Sequence, residues 1–132
     1  QMCIRDRLGA SRAAYEYAST LRSVQAFDLT FLGLGEDGHT ASLFPGHEWG
    51  SEVGSPDTLA VFTAPKAPKH RVSMSAARLS RSRQVIFLVS GESKHMVVAK
   101  WRRGNNMPAK AIMPTAGIDV LLESSLLVPL SI

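Results

Sequence analysis

The run Gln84-Val-Ile-Phe-Leu-Val89 constrains the fold more than any other part of this sequence. An unbroken apolar stretch of strand length is what a strand needs when helices cover both of its faces. It is followed by Gly91 and then by helical periodicity from Glu92 to Arg103, with Met96, Val97, Ala99, Lys100 and Trp101 along it and Gly104 as a C-cap. Earlier, Ser11 to Gln25 carries a helical stripe at Ala14, Tyr17, Ala18, Leu21 and Val24. Phe27 to Leu32 then reads as a strand ending at Gly33. Leu59 to Thr63, Arg71 to Ser75 and Ile118 to Leu122 have strand-like length, and Pro108 to Met113 starts a short helix. Strand and helix periods that alternate in this way specify an α/β protein with a mostly parallel sheet. The glycine-rich stretch Gly46 to Asp57 and the proline-containing, basic stretch Ala64 to His70 read as surface connections.

With 132 residues, 45% hydrophobic and 20% charged, the chain fits one globular domain rather than a disordered or fibrous one. No apolar run approaches the roughly 20 residues of a membrane helix. Cys3 is the single cysteine, so neither an intramolecular disulfide nor a four-cysteine metal site is possible. A reducing, cytoplasmic location is expected, with no secretory pattern at the start. The net charge of +4 suits an anionic small molecule. Without aromatics interleaved among the basic residues, it gives no basis for nucleic-acid binding.

Chemistry concentrates in Phe31 to Gly46, Phe-Leu-Gly-Leu-Gly-Glu-Asp-Gly-His-Thr-Ala-Ser-Leu-Phe-Pro-Gly, which leaves the first strand and is expected to enter a short helical piece near Thr40 or Ala41. Gly33, Gly35 and Gly38 allow tight turns and close approach to a ligand. The carboxyl end of a strand in an open α/β sheet is where ligands bind. His39 is the candidate for proton transfer near neutral pH, and Asp37 either orients its ring or caps the next turn. The three glycines match Gly-x-Gly-x-x-Gly. However, Asp37 places negative charge where a pyrophosphate would lie, and no extended helix follows, so a dinucleotide site is disfavoured. Ser42 lacks the elbow of a nucleophilic serine. His47, His70 and His95 read as surface residues, and Trp49 and Trp101 as packing anchors.

The segment Gly33-Leu-Gly-Glu-Asp-Gly-His-Thr-Ala-Ser-Leu-Phe-Pro45 resembles the signature of the 6-phosphogluconolactonases, which open 6-phosphoglucono-δ-lactone in the pentose phosphate pathway. Lys69 to Ser75, Val85 to Lys94 and Met107 to Pro114 resemble three further segments of that family, in the same order. The related glucosamine-6-phosphate deaminases share Gly-x-Asp-Gly-His but continue with Ile-Ala-Phe-Asn-Glu-Pro, where this chain has Thr40-Ala-Ser-Leu-Phe-Pro45. The resemblance implies a Rossmann-like α/β fold and a hydrolase that needs neither cofactor nor metal. His39 would be the base that activates water, and Asp37 would hold and polarise the site. Backbone N–H groups of the glycine loop would face the developing oxyanion. Gly33, Gly35, Gly38 and Thr40 would line the substrate. Lys94 would meet its phosphate at a helix start, with Arg71 as a second cation. A deaminase or isomerase, and a non-catalytic sugar-phosphate-binding fragment, are the rival readings.

Family members are longer. The resemblance implies that the first strands, with a Ser-Gly-Gly phosphate loop and an Asp-Glu-Arg segment, are missing here. Residues 1–7 fit no element and read as adaptor-derived sequence, leaving 8–132 as the C-terminal part of one such domain. A sheet without its first strands would expose an apolar edge and face, so marginal stability, aggregation or oligomerisation is expected of the chain alone.

Overall fold

The structure is a computed structural model, and it describes residues 9–129; the reading of residues 1–7 lies outside that range. The chain forms helix α1 (Ala10–Leu21), strands β1 (Phe27–Gly33), β2 (Thr58–Val61) and β3 (Arg71–Met74), and helix α2 (Ala76–Ser80). Strand β4 (Ser82–Val89), helix α3 (His95–Arg102) and strand β5 (Ile118–Leu122) follow. Strands β1, β4 and β5 make a three-stranded parallel sheet with β4 in the middle. Phe31 stands opposite Ile86, and Phe87 opposite Val120. The pair β2–β3 is a separate antiparallel ribbon against which α1 packs. Thr58 Oγ1 donates to the Ala14 carbonyl at that contact.

The expected α/β architecture is present, with several local differences. Helix α1 stops at Leu21 rather than Gln25. Val24 is exposed and has no core to join, and the Leu21 carbonyl is instead used by the Val24 N–H in a tight turn. The helix read from Glu92 to Arg103 divides into a 3-10 turn, Glu92–Lys94, and α3 proper. Its end is as the sequence dictates: Gly104 has φ +82 and donates to Trp101 O, while Asn105 donates to Lys100 O, a Schellman motif. Helix α2 is held by Ser75, whose Oγ accepts from the Arg78 N–H at 3.1 Å. Pro108–Ala111 is a 3-10 turn.

The largest departure concerns the apolar run Gln84 to Val89. Val85, Phe87 and Val89 of β4 are buried with Leu32, Leu79, Val97, Val98 and Met107 in one core, and Trp101 packs edge-on against Phe87 at 4.8 Å. The opposite face of the same sheet is bare: Leu29, Phe31, Leu88 and Leu121 are 45%, 54%, 51% and 59% exposed. The run is thus buried on one face only. A continuous apolar strand reports the burial its sequence is built for, and in the described residues no helix covers the second face. That contiguous apolar surface should bind an apolar fluorescent dye and drive self-association. Phe31→Ser combined with Leu121→Lys should lower both signals. A dye-silent monomer in sedimentation experiments would contradict this.

Candidate active site

The site is built where β1 ends. Thr40 Oγ1 donates to the Gly33 carbonyl at 2.8 Å, and the Gly35 N–H donates to His39 O at 2.8 Å, folding 33–40 back on itself. Gly38 adopts φ +91 and donates to Gly35 O, and its own carbonyl accepts from Ala109 N. A Cβ at Gly38 would meet Met107 Cβ at 2.8 Å, so glycine is required there both by conformation and by space. Gly33 has open space around it and an ordinary φ; nothing in its surroundings demands glycine. The short helix expected near Thr40 or Ala41 is absent. Thr40 and Leu43 instead close a turn through a 3.0 Å backbone hydrogen bond, with Ala41 at φ +51.

This turn places Asp37 and His39 side by side. Asp37 Oδ1 accepts from both the His39 backbone N–H at 3.0 Å and the ring Nδ1 at 2.6 Å. With Nδ1–H committed to the carboxylate, the basic nitrogen of the neutral ring is Nε2. Phe44, buried, lies with its ring 4.9 Å from the imidazole. Partial burial alone would raise the Asp37 pKa, but the two hydrogen bonds and the charge of His39 outweigh it. The carboxyl is therefore held below the ordinary 3.8. A depressed folded-state value means that the carboxylate form, and the pair it makes, persist from neutrality down through the usual aspartate range. The pair is lost only as pH falls through that lowered value. The Asp37 carboxyl-carbon NMR titration should accordingly have a midpoint below the ordinary aspartate value of 3.8.

Lys94 comes from 60 residues along the chain. Its Nζ donates to the Leu34 carbonyl at 2.7 Å, which brings the ammonium to the glycine loop. It projects from the 3-10 turn ahead of α3 rather than from the first turn of a continuous helix. Two adjoining clefts of about 300 and 320 Å³ share Gly35, His39 and Lys94, near the lower size limit of small-molecule sites. Gly33 and Thr40 line one; Asp37, Phe44, Lys66 and Arg71 line the other. The residues named from the sequence thus converge, except Gly38, which faces Met107 and lines neither cleft, and Lys66 and Phe44 join them. Phe44 was visible as part of the motif, whereas Lys66 looked like one cation among several in a connection.

Not every glycine-loop N–H is free to face an oxyanion. Those of Gly35, Gly38 and His39 are spent inside the loop. His47 is pinned to Thr63 and the Pro45 carbonyl, clear of the clefts. His95 bonds to the Ser125 carbonyl. Trp49 anchors its loop by donating to Phe44 O at 2.7 Å. Among the described residues no cluster of three or more His, Cys, Asp or Glu side chains is placed to hold a metal. No helix among them is long and apolar enough to cross a membrane.

Comparison with known proteins gives a consistent result. A 6-phosphogluconolactonase of Bos taurus is 35% identical over 123 residues, covering 86% of this chain and 47% of its own length. 6-Phosphogluconolactonase 4 of Saccharomyces cerevisiae is 43% identical over 89 residues, covering 66% of this chain and 34% of its own. The chain therefore spans about half the length of the bovine relative, or less for the yeast one. The crystal structure of a 6-phosphogluconolactonase from Thermotoga maritima superimposes with a TM-score of 0.75 at 27% identity, over 85% of this chain and 50% of that one. The family described as glucosamine-6-phosphate isomerases/6-phosphogluconolactonase matches residues 2–121. A match of that extent, on an α/β fold that brings Gly35, His39 and Lys94 together where two clefts adjoin, makes this chain a member of the glucosamine-6-phosphate isomerase/6-phosphogluconolactonase family.

Proposed function

We propose that the chain carries the water-activating part of a 6-phosphogluconolactonase site, hydrolysing 6-phospho-D-glucono-1,5-lactone to 6-phosphogluconate. The observation that carries this reading is the 2.6 Å Asp37–His39 pair at the carboxyl end of β1, with Lys94 beside it. His39 Nε2 takes a proton from water as its oxygen attacks the lactone carbonyl, and Asp37 holds the ring and balances the imidazolium that forms. The ring C–O bond of the tetrahedral intermediate then breaks, and the proton returns to the departing sugar oxygen. Lys94 attracts the phosphate. Gly33, Gly35 and Thr40 shape the wall, with Arg71 at the rim, and Gly38 turns the loop behind them. The proposed setting is a reducing, cytosolic one.

The two branches of the family are separated by substrate. The purified chain is given freshly generated lactone, with spontaneous opening subtracted, and separately glucosamine 6-phosphate with ammonia release followed. Lactone opening above background without ammonia supports the reading. Ammonia release would favour the deaminase. Binding of 6-phosphogluconate with neither reaction would mark a non-catalytic sugar-phosphate fragment. The departure at Thr40-Ala-Ser-Leu-Phe-Pro45 favours the lactonase.

A further inference from the structure

Arg71 lines the cleft, yet two of its three guanidinium nitrogens are committed to its own loop. Nε donates to Pro68 O at 2.9 Å, and Nη2 donates to Lys66 O at 2.9 Å and to Ala67 O at 3.4 Å. The guanidinium lies 5.3 Å from the centre of the Phe44 ring, which in turn lies against His39. The same loop is closed at its base by Ala64 N–H to Lys69 O at 3.1 Å. What the loop presents to the cleft is Lys66, an exposed side chain among Asp37, His39 and Lys94.

We propose that Arg71 is a positioning residue, and that the second cation meeting the substrate's phosphate is Lys66, which lines the same cleft as Lys94. A planar fork that caps three successive carbonyls fixes the 66–68 backbone, and hence the origin of the Lys66 side chain. A lysine at position 71, a point charge with no fork, cannot reproduce that. Among the described residues the Lys66 side chain makes no structural bond of this kind, and so it pairs with a phosphate at little cost to the fold. The proposal rests on the sugar-phosphate reading above, but only on its phosphate.

The test is the affinity of the purified chain for 6-phosphogluconate by calorimetry, with gluconate as the control that lacks phosphate. Lys66→Met should weaken 6-phosphogluconate binding about 10- to 100-fold, the worth of one charge-assisted hydrogen bond, and leave gluconate unchanged. Arg71→Lys should weaken it comparably although the charge is kept, and the double variant should be no worse than Lys66→Met alone. It should also shift the amide resonances of residues 66–68 in the ligand-free protein. Wild-type affinity in Lys66→Met, full retention in Arg71→Lys, or losses that add in the double variant would each overturn the proposal. So would a wild-type chain that does not distinguish the two ligands. Phosphate-dependent binding without lactone opening would count against the lactonase reading alone, because this measurement needs no turnover.

Discussion

Gly35→Ala is expected to abolish most catalysis while leaving the fold intact. A Cβ built at Gly35 lies 2.0 Å from His39 Nδ1 and 2.2 Å from Cε1, contacts that no packing tolerates. The backbone at Gly35 is not left-handed, so alanine is conformationally acceptable there and the collision falls on the imidazole alone. A half-buried ring can swing outward, and in doing so it gives up the 2.6 Å bond to Asp37 and the orientation of Nε2. Loss of a positioned general base costs about 10²- to 10⁴-fold, and that is the expected fall in lactone hydrolysis. The thermal midpoint should stay near that of the wild type, and the hydrogen-bonded Nδ1–H proton resonance should disappear. Gly33→Ala is the control for the ring alone. Its Cβ meets nothing within 4 Å, so the Nδ1–H resonance should be preserved there. Wild-type activity in Gly35→Ala would show that the ring position is irrelevant to the reaction.

Arg78→Ala is expected to cost about 3–5 kcal/mol of stability, the usual penalty for breaking a buried charged contact. Arg78 is fully buried. Its Nη1 donates to Gln25 O at 3.0 Å, its guanidinium lies 4.4 Å from the Phe27 ring centre, and its Nε is 4.0 Å from Asp57 Oδ2. Asp57 also pairs with Arg81, and its carbonyl accepts the Ser75 N–H, so this cluster joins the β2–β3 ribbon to the start of β1 and β4. Burial disfavours the charged guanidinium, against the opposing pull of Asp57. Among the described residues Nε and Nη2 find no hydrogen-bond partner. Those two orphaned donors make the arginine an expensive occupant. Arg78→Met, which fills similar space without them, should therefore lose less than about 1.5 kcal/mol. Urea unfolding of the two variants reads the difference directly. An alanine variant with the wild-type midpoint would mean that the cluster contributes nothing.

Why one of these residues was visible in the sequence and the other was not is a matter of distance along the chain. Asp37 and His39 are two positions apart on a turn whose glycines are themselves in the motif, so the local code carries both the geometry and the chemistry. The strands were legible for a similar reason: Phe27 to Leu32, Arg71 to Ser75 and Ile118 to Leu122 alternate or run apolar over strand lengths, and the strands formed are Phe27–Gly33, Arg71–Met74 and Ile118–Leu122. Arg78 sits in Ala76-Ala-Arg-Leu-Ser80, where a cation on a short helix looks like any surface residue. Only the approach of Gln25 and Phe27, some 50 residues earlier, makes it interior. Lys66 likewise becomes a site residue only when Arg71 folds its loop over the cleft. Lys94 was reached through the family resemblance, since nothing local to Ser-Lys-His predicts a bond to Leu34. The apolar run at Gln84–Val89 correctly marked a central strand, but periodicity cannot say which of its faces a given stretch of chain covers.

The most direct measurement is the rate of 6-phosphoglucono-δ-lactone hydrolysis by the wild-type chain and by His39→Asn, with circular dichroism on the same samples. Asparagine keeps a polar side chain of similar reach but has no basic nitrogen. A wild-type rate above spontaneous opening that falls by about 10²- to 10⁴-fold in a variant with an unchanged spectrum is the predicted result. Equal rates in two equally folded proteins would contradict the assignment of His39 as the base, and with it the site built on the Asp37–His39 pair.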